Sequence, residues 1–256
     1  MKITFLGTCS GTEPMLNRHY SSFVIELGDQ VYWFDAGENC SHMAHTLGID
    51  LSHIRAIFIS HMHIDHIGGL PNLLFVIDKL SKVNKKLHIH NNSYDVFVPE
   101  LDVFHAVKTT ACKLNHTPNQ AEIREHEIGD GLLFEDEYIR VHACHNTHLK
   151  EDGSQGFHSY SFLIEAEGKR IVFSGDVGYP EEMDIYTENG CDVLIMETGH
   201  HKLAKVFAYA NERNVKKLLF THHGREILYD LNGAEEMAKI MHPDARICND
   251  GDVIVL

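Results

Sequence analysis

Long apolar runs are missing from this chain of 256 residues. It contains no stretch of roughly eighteen or more apolar residues, so no transmembrane helix and no membrane partner are predicted. The start of the chain, MKITFLGTCSG, has one Lys and a short apolar run. That run is too short for the core of a secretory signal, and no small-residue cleavage site follows it. We therefore expect a first β-strand there and no export.

Cysteine and proline are also sparse. The six cysteines form no C-x-x-C pair, and a chain of this length does not need disulfides to fold. We predict reduced, mostly buried thiols in a cytoplasmic protein. The six prolines form no Pro-rich linker, and low-complexity segments and short repeats are absent. With 43% apolar residues the chain can build a sizeable core, so we predict one domain over residues 1–256.

Positive charge is scarce as well. The chain has 22 Lys and Arg residues against 37 Asp and Glu residues, which gives a net charge of −15 with neutral His. An acidic chain has no general electrostatic attraction to polyphosphate, which disfavours nucleic acid as the substrate. No G-x-S-x-G or Walker-type motif is present, so neither a serine nucleophile of that kind nor a P-loop is predicted.

Histidine is abundant, with 21 residues spread along the chain. The densest run is HMHIDH at 61–66, directly after the apolar run AIFIS. Because a strand end directs alternate side chains to one side, His61 and His63 can converge. The turn that follows brings Asp65 and His66 to a second centre. We interpret this run as part of a metal site rather than as a surface loop with chance histidines.

Three other polar motifs follow apolar strands in the same way. They are Asp176 in SGD after RIVF, His222 in THHG after KLLF, and the HNTH segment at 145–148 after YIRVHAC. Each motif alone is a weak signal. Together they match the way α/β folds build ligand sites at the carboxyl ends of strands.

The apolar pattern predicts hairpins in the first half of the chain and helix-linked strands in the second. We expect hairpin turns at Gly28-Asp29 and Glu167-Gly168. Helices are predicted over 70–83, 94–113, 203–213 and 231–241. This order indicates sheets covered by helices in an α/β architecture. The polar, irregular stretch 91–130 is a candidate lid or arm insertion.

The order of these motifs resembles the metallo-β-lactamase superfamily, and in particular its ribonuclease Z (tRNA 3′-processing endonuclease) branch. The similarity spans nearly the whole chain. Beyond the ligand motifs it includes FLGT at 5–8, Arg18 with Ser21 and Ser22, FDAGE at 34–38, HIGGLP at 66–71 and MET at 196–198. The resemblance implies a four-layer αββα sandwich.

The resemblance also implies two divalent metal ions, with Zn first and Mn or Fe as alternatives. The implied ligands are His61, His63 and His148 for the first ion, Asp65, His66 and His222 for the second, and Asp176 as the bridge. His145 is the alternative to His148. Asp35 would orient a metal-binding imidazole, as carboxylates commonly do.

The expected nucleophile is a hydroxide that bridges the two ions. For a phosphodiester the leaving alkoxide needs a proton, and the resemblance assigns that proton to His200, with His201 as the alternative. Glu197 would orient the acid. Asp65 is counted with His200 and Glu197 among the catalytic residues.

The expected function is that of a metal-dependent phosphodiesterase for a small diester or nucleotide-type substrate. The alternatives are a tRNA 3′-processing endonuclease, a lactone, thioester or β-lactam hydrolase, and a metal-binding scaffold without activity. Arg18 and Arg225 are candidate anion-binding residues, although surface ion pairs explain such residues equally well. The oligomeric state stays open, a homodimer included.

Overall fold

The described residues of this protein form two seven-stranded sheets. The computed structural model describes residues 1–11, 15–87, 93–113, 121–149 and 158–256. The chain forms two structural units. The first comprises Met1–Gly7, His19–Ile128 and Asp250–Leu256, and the second comprises Thr8–Arg18 and Gly129–Asn249. The expectation of one domain stays a prediction beside this division.

The first unit holds one sheet. Its strands are β1 (Lys2–Gly7), β2 (Ser22–Leu27), β3 (Gln30–Phe34), β4 (Ile54–Phe58), β5 (Ser93–Val98), β6 (Glu122–Glu127) and β14 (Val253–Val255). Their order is β14-β1-β2-β3-β4-β5-β6. The pairs from β14 to β3 are antiparallel and those from β3 to β6 are parallel. Because parallel strands are covered on both faces, the apolar run of β4 lies buried between its neighbours.

The helices of this unit are α1 (Cys40–Thr46), α2 (Ile64–Ile67), α3 (Leu70–Leu87) and α4 (Leu101–Lys113). On α3, Leu70, Leu73, Leu74 and Ile77 are all buried. Their spacing forms the apolar stripe of an amphipathic helix, and it packs into a core that includes Trp33. The helix predicted from residue 70 therefore forms and extends further than expected.

The helix expected over 94–113 is wrong in its first part. Residues 93–98 form β5 between β4 and β6, and α4 begins only at Leu101. Pro99 explains the boundary, since the residue before a proline disfavours helical geometry. Within 91–130, the structure describes the strands β5 and β6 of the sheet and the helix α4 between them. Residues 91–92 and 114–120 lie outside the described residues. The lid or arm stays a prediction.

The second unit holds the other sheet. Its strands are β7 (Gly131–Glu135), β8 (Ile139–His145), β9 (Tyr160–Ala166), β10 (Lys169–Phe173), β11 (Cys191–Thr198), β12 (Val215–His223) and β13 (Ala245–Ile247). The order is β13-β12-β11-β10-β9-β8-β7, antiparallel from β7 to β10 and parallel from β10 to β13. Its helices are α5 (Asp184–Thr187), α6 (Leu203–Glu212), α7 (Arg225–Leu228) and α8 (Leu231–Met241). The hairpin turn expected at Glu167-Gly168 joins β9 to β10, with φ values of 48° and 72°, which is the geometry of a type I′ turn.

No helix among the described residues is both long and apolar enough to cross a membrane. Cys9, Cys40, Cys191 and Cys248 are buried, in agreement with the expectation of mostly buried cysteines.

Candidate metal centre

In the first unit, the loop after β4 presents the HMHIDH run. His61 and His66 are fully buried, and His63 caps α2 in extended geometry. The His61 Nε2 and His63 Nδ1 atoms lie 3.0 Å apart. The Asp65 Oδ2 atom lies 3.6 Å from His66 Nε2. The structure therefore brings together both pairs that the sequence predicted within this run.

Asp35 orients the two buried imidazoles of this loop. One carboxylate oxygen, Oδ2, accepts a hydrogen bond from His66 Nδ1 (2.8 Å) and another from Ser60 Oγ (2.9 Å), while Oδ1 accepts one from Ser60 N (2.7 Å). Since the Ser60 hydroxyl donates to Asp35, it accepts from His61 Nδ1, 3.1 Å away. The protons of both imidazoles are thus fixed on Nδ1, which directs Nε2 as the ligand atom. The role predicted for Asp35 agrees with this geometry, whereas Ser60 carried no signal in the sequence.

A close backbone approach holds the Asp35 loop against the ligand loop. Ala36 N donates to His66 O (2.6 Å), and Gly69 N donates to Ala36 O (2.8 Å). A Cβ atom on Gly69 would lie only 2.2 Å from Gly37 O and 2.9 Å from Cys40 Sγ. Position 69 therefore requires glycine for steric reasons.

In the second unit, ligand atoms of Asp176, Glu197, His200 and His222 all lie within 4.8 Å of one another. They converge on Asp176 Oδ2, which is 3.4 Å from His222 Nε2 and 3.7 Å from His200 Nδ1. Asp176, Glu197 and His222 are almost completely buried. They lie at the carboxyl ends of the parallel strands β10, β11 and β12, as expected for a site of this fold class.

The structure separates the two candidate histidines at the end of β8. His148 Nε2 lies 3.7 Å from Asp176 Oδ2, and its side chain is 12% exposed. His145 Nδ1 instead lies 2.6 Å from Asp130 Oδ2, and its side chain is 37% exposed. His148 is therefore the histidine that joins the Asp176 cluster, while His145 pairs with a carboxylate elsewhere.

Glu197 holds His200 through two contacts. Its Oε2 accepts a hydrogen bond from His200 N (2.9 Å), and Oε1 lies 3.0 Å from His200 Nδ1. Burial acts to raise the pKa of the Glu197 carboxyl, but hydrogen bonds from His200 and His222 outweigh it and hold this pKa far below its ordinary value. The hydrogen bond to Glu197 in turn raises the pKa of His200, against an opposing effect of burial.

His201 occupies a different environment. Its Nε2 atom donates a hydrogen bond to Val177 O at 3.0 Å, and its side chain is only 7% exposed. The side chain of His200 is 43% exposed. The two neighbours therefore differ in access, and His200 has the more open position.

His223 anchors the end of β12 next to His222. Its ring nitrogens bond to Thr198 Oγ1 (3.1 Å) and to Cys248 O (2.8 Å). Burial lowers the pKa of His223 to about 3, so the ring is neutral. A Cβ atom on Gly199 would lie 2.7 Å from His222 Nδ1, so a glycine is needed here for His222 to keep its place. His223 and Gly199 were not predicted as site residues, because their partners are distant in sequence.

The two candidate anion-binding arginines have different environments. Arg18 donates to Thr8 Oγ1 (2.6 Å), Cys248 O (3.0 Å) and Asn249 Oδ1 (2.6 Å). Because these partners are neutral, Arg18 links segments of the second unit by hydrogen bonds and does not form a surface ion pair with them. Arg225 borders a cleft of about 360 Å³, lined by Thr198, Gly199, His200, His201, Lys202, Gly224, Arg225 and Glu226.

The donor atoms of both clusters are imidazole nitrogens and carboxylate oxygens. Such donors suit Zn²⁺, Mn²⁺ and Fe²⁺, and the absence of thiols from the two described clusters disfavours a soft-metal site. The residues present therefore fit a divalent metal ion.

Comparisons with known proteins agree with this class. The similar proteins include ribonuclease Z of Prochlorococcus marinus (strain MIT 9515), 37% identical over 179 residues, which cover 68% of this chain and 52% of the relative. The chain thus spans about half the length of that relative. Among solved structures, the short form of human tRNase Z superposes with a TM-score of 0.75 at 22% identity, covering 100% and 99% of the two chains. Zn²⁺-bound PqqB from Methylobacterium extorquens gives 0.72 at 14% identity, covering 100% of both chains.

These similarities confirm the metallo-β-lactamase fold, an α/β sandwich, and a ribonuclease Z-like member of that superfamily. Within it, the family model described as anti-Pycsar protein Apyc1 matches residues 1–243. The chain belongs to this family.

Proposed function

We propose that this protein is a binuclear metal-dependent hydrolase that cleaves phosphodiester bonds. The observation on which the proposal depends is the buried cluster around Asp176 Oδ2, which gathers two carboxylates and two imidazoles at the ends of three parallel strands. Buried charged groups are costly unless they are paired or bind a metal. The ribonuclease Z relative supports a hydrolase that acts on phosphodiesters.

The proposed ligands follow the family pattern, residue by residue. They are His61, His63 and His148 for one ion, Asp65, His66 and His222 for the other, and Asp176 for both. Zn is the first candidate, as in the zinc-bound PqqB structure, and Mn or Fe are alternatives.

Two bound ions would supply Lewis acidity and an activated water at neutral pH. The chain's own residues then have separate tasks. Asp35 and Ser60 bond to the Nδ1 side of the His66 and His61 rings, so the Nε2 atoms of both rings point away from the Asp35 carboxylate. Asp65 lies beside His66, and we propose that its carboxylate is both a metal ligand and a catalytic group. Because these partners are fixed before substrate binds, little reorganisation is needed during the reaction.

His200 is the proposed proton donor to the leaving group. Its imidazole is half-exposed and borders the 360 Å³ cleft, whereas the Glu197 that holds it is buried. A donor in this position can meet a substrate oxygen while its orientation stays fixed. His201, bonded to Val177 O, is the weaker candidate.

We propose a small diester, such as a cyclic nucleotide or a short oligonucleotide, as the substrate. The cleft has a volume in the range of small-molecule sites, and the net charge of −15 gives no general attraction to a long polyanion. The 37% identity to a ribonuclease Z favours a second candidate, tRNA 3′ processing.

The test uses bis-p-nitrophenyl phosphate with purified protein, and metal content is measured in the same samples. We expect release of nitrophenol that chelators abolish. Asp176→Ala should lower kcat by more than about 100-fold, because it removes the proposed bridging ligand, and removal of a mere partner of a ligand already costs about 10- to 100-fold. Asp130→Ala is the matched control. It removes an exposed carboxylate that pairs with His145, and it should leave turnover unchanged if His148 is the ligand. Tight binding of two ions without turnover of any diester would overturn the phosphodiesterase proposal.

A further inference from the structure

One carboxylate in the second unit connects two loops that contain proposed ligands. Glu182 lies in the 3₁₀ turn Pro180–Met183, after the loop of Asp176. Its Oε1 accepts a hydrogen bond from Thr147 N (2.9 Å). Its Oε2 accepts hydrogen bonds from Gly178 N (2.8 Å) and Tyr179 N (3.2 Å). Thr147 is next to His148, and Gly178 is two residues after Asp176.

The two loops also touch at this point. A Cβ atom on Gly178 would lie 2.3 Å from Thr147 Oγ1, so a larger residue at position 178 would force the Thr147 side chain to move. Next to this contact, His148 Nε2 and Asp176 Oδ2 lie 3.7 Å apart. In the described hydrogen bonds, Glu182 contacts the backbone next to His148 and Asp176 but neither of these two side chains.

Ser159, the residue before β9, also bonds to both loops. Asn146 N donates to Ser159 O (2.9 Å), and Ser159 Oγ donates to Asp176 O (3.2 Å). These bonds fix each loop to Ser159, whereas Glu182 accepts hydrogen bonds from both loops directly. Three backbone N–H donors on one carboxylate form charge-assisted hydrogen bonds, which are about twice as strong as neutral ones.

We infer that Glu182 is a positioning residue that sets the spacing of His148 and Asp176 and thereby the affinity of the site for its metal. The inference rests on the proposed metal site. A glutamine at this position has only one acceptor oxygen, and its amide N–H₂ would face a backbone N–H group. One loop would then be released, and the two ligand atoms would lose their fixed separation.

The test is a metal titration of the chelator-treated protein with Zn²⁺ in competition with a chromophoric chelator. We expect Glu182→Gln to weaken the binding of one ion about 10- to 100-fold, the range found when partners behind metal ligands are removed. Glu182→Asp, which keeps both oxygens but is one methylene too short to reach both loops, should show the same direction with less risk to folding. The melting temperature of the metal-free protein is measured as well, and we expect a modest fall, because Glu182 also accepts hydrogen bonds within its own turn.

Glu181→Gln is the matched control, since Glu181 lies in the same turn and pairs only at the surface with Lys205 (3.3 Å). It should leave zinc affinity unchanged. The inference would be overturned if both Glu182 variants bound zinc as tightly as the wild type. Glu182 would then merely support the turn, whether or not the metal-free melting temperature falls. If the wild-type chain bound none of Zn²⁺, Mn²⁺ and Fe²⁺, the proposed function and the inference would both fail. If the wild type binds zinc but cleaves no diester, the proposed function alone fails.

Discussion

At the scale of single residues, His200 and His201 show how neighbours in sequence acquire different chemistry. His200 is held by Glu197 through its backbone and its ring, with the rest of the imidazole accessible. His201 donates to Val177 O from a buried position. A proton donor needs both a fixed orientation and access to the leaving group, and only His200 has both.

We predict that His200→Gln lowers kcat by about 10²- to 10⁴-fold for a dinucleoside phosphate, the usual contribution of a general acid. The same change should lower kcat far less for bis-p-nitrophenyl phosphate, because nitrophenolate leaves without a proton. Steady-state kinetics on both substrates, with metal content measured in each sample, gives the comparison. His201→Gln is the control and should affect both substrates alike. Equal losses on the two substrates in His200→Gln would refute the role of proton donor.

The residues that sequence reasoning found share a local signal. The HMHIDH run contains four ligand-type side chains within six positions, and Asp176 and His222 each follow a strand that reads as buried. Ser60 and Glu182 have no such signal, because their importance comes from partners such as Asp35 and Thr147 that lie far away along the chain. Side-chain hydrogen bonds of this kind become visible only when the backbone is in place.

At the scale of elements, the site depends on how closely the loops beyond the strands approach one another. In the first unit, α3 begins immediately after Gly69, whose amide bonds to Ala36 O. The close contact with Gly37 O leaves no room for a side chain, and the neighbour is backbone rather than a flexible side-chain end. Relief would require a shift of α3 or of the Asp35 loop.

We predict that Gly69→Ala lowers the free energy of unfolding by about 1–3 kcal/mol, the usual cost of overpacking a core. Gly129→Ala is the matched control. A Cβ atom there meets nothing within 4 Å, so the change should be neutral or stabilise by about 0.4–1 kcal/mol through the unfolded chain. Urea unfolding of the metal-free variants measures both values. Similar unfolding midpoints for the two variants would contradict the steric account.

Two strands that sequence reasoning missed, β5 and β6, are neighbours in the first sheet. β6 has the sequence EIREHE and forms the edge of its sheet, where charged side chains protect the exposed backbone and remove the usual strand signal. The residues of β5 were predicted to begin a helix, but Tyr94, Val96, Phe97 and Val98 are all buried strand residues. Pro99 was the available signal for the boundary. The helix α8, with a clear period and Asp230 as its cap, was predicted with correct bounds.

At the scale of the whole molecule, the net charge of −15 bears on the choice between the two candidate substrates. A protein that binds a long polyanion through many phosphate contacts loses affinity steeply with added salt, because bound counterions are released. A small diester carries a single charge, and an acidic protein repels it weakly. Added salt screens that repulsion, since the Debye length falls to about 8 Å at physiological ionic strength.

We therefore predict that KM for a small anionic diester falls or stays within about twofold between roughly 50 and 200 mM salt. Over the same range, a protein with six to ten phosphate contacts would lose about 10³- to 10⁵-fold in affinity for nucleic acid. Parallel kinetics with a cyclic nucleotide, a dinucleotide and a precursor tRNA decide between the two candidates. Efficient tRNA cleavage with a steep loss of affinity at higher salt would establish tRNA processing. It would mean that a local basic surface binds the tRNA despite the negative net charge of the chain. A flat salt response with turnover confined to the small diesters would instead match the small cleft beside His200 and the chain's overall charge.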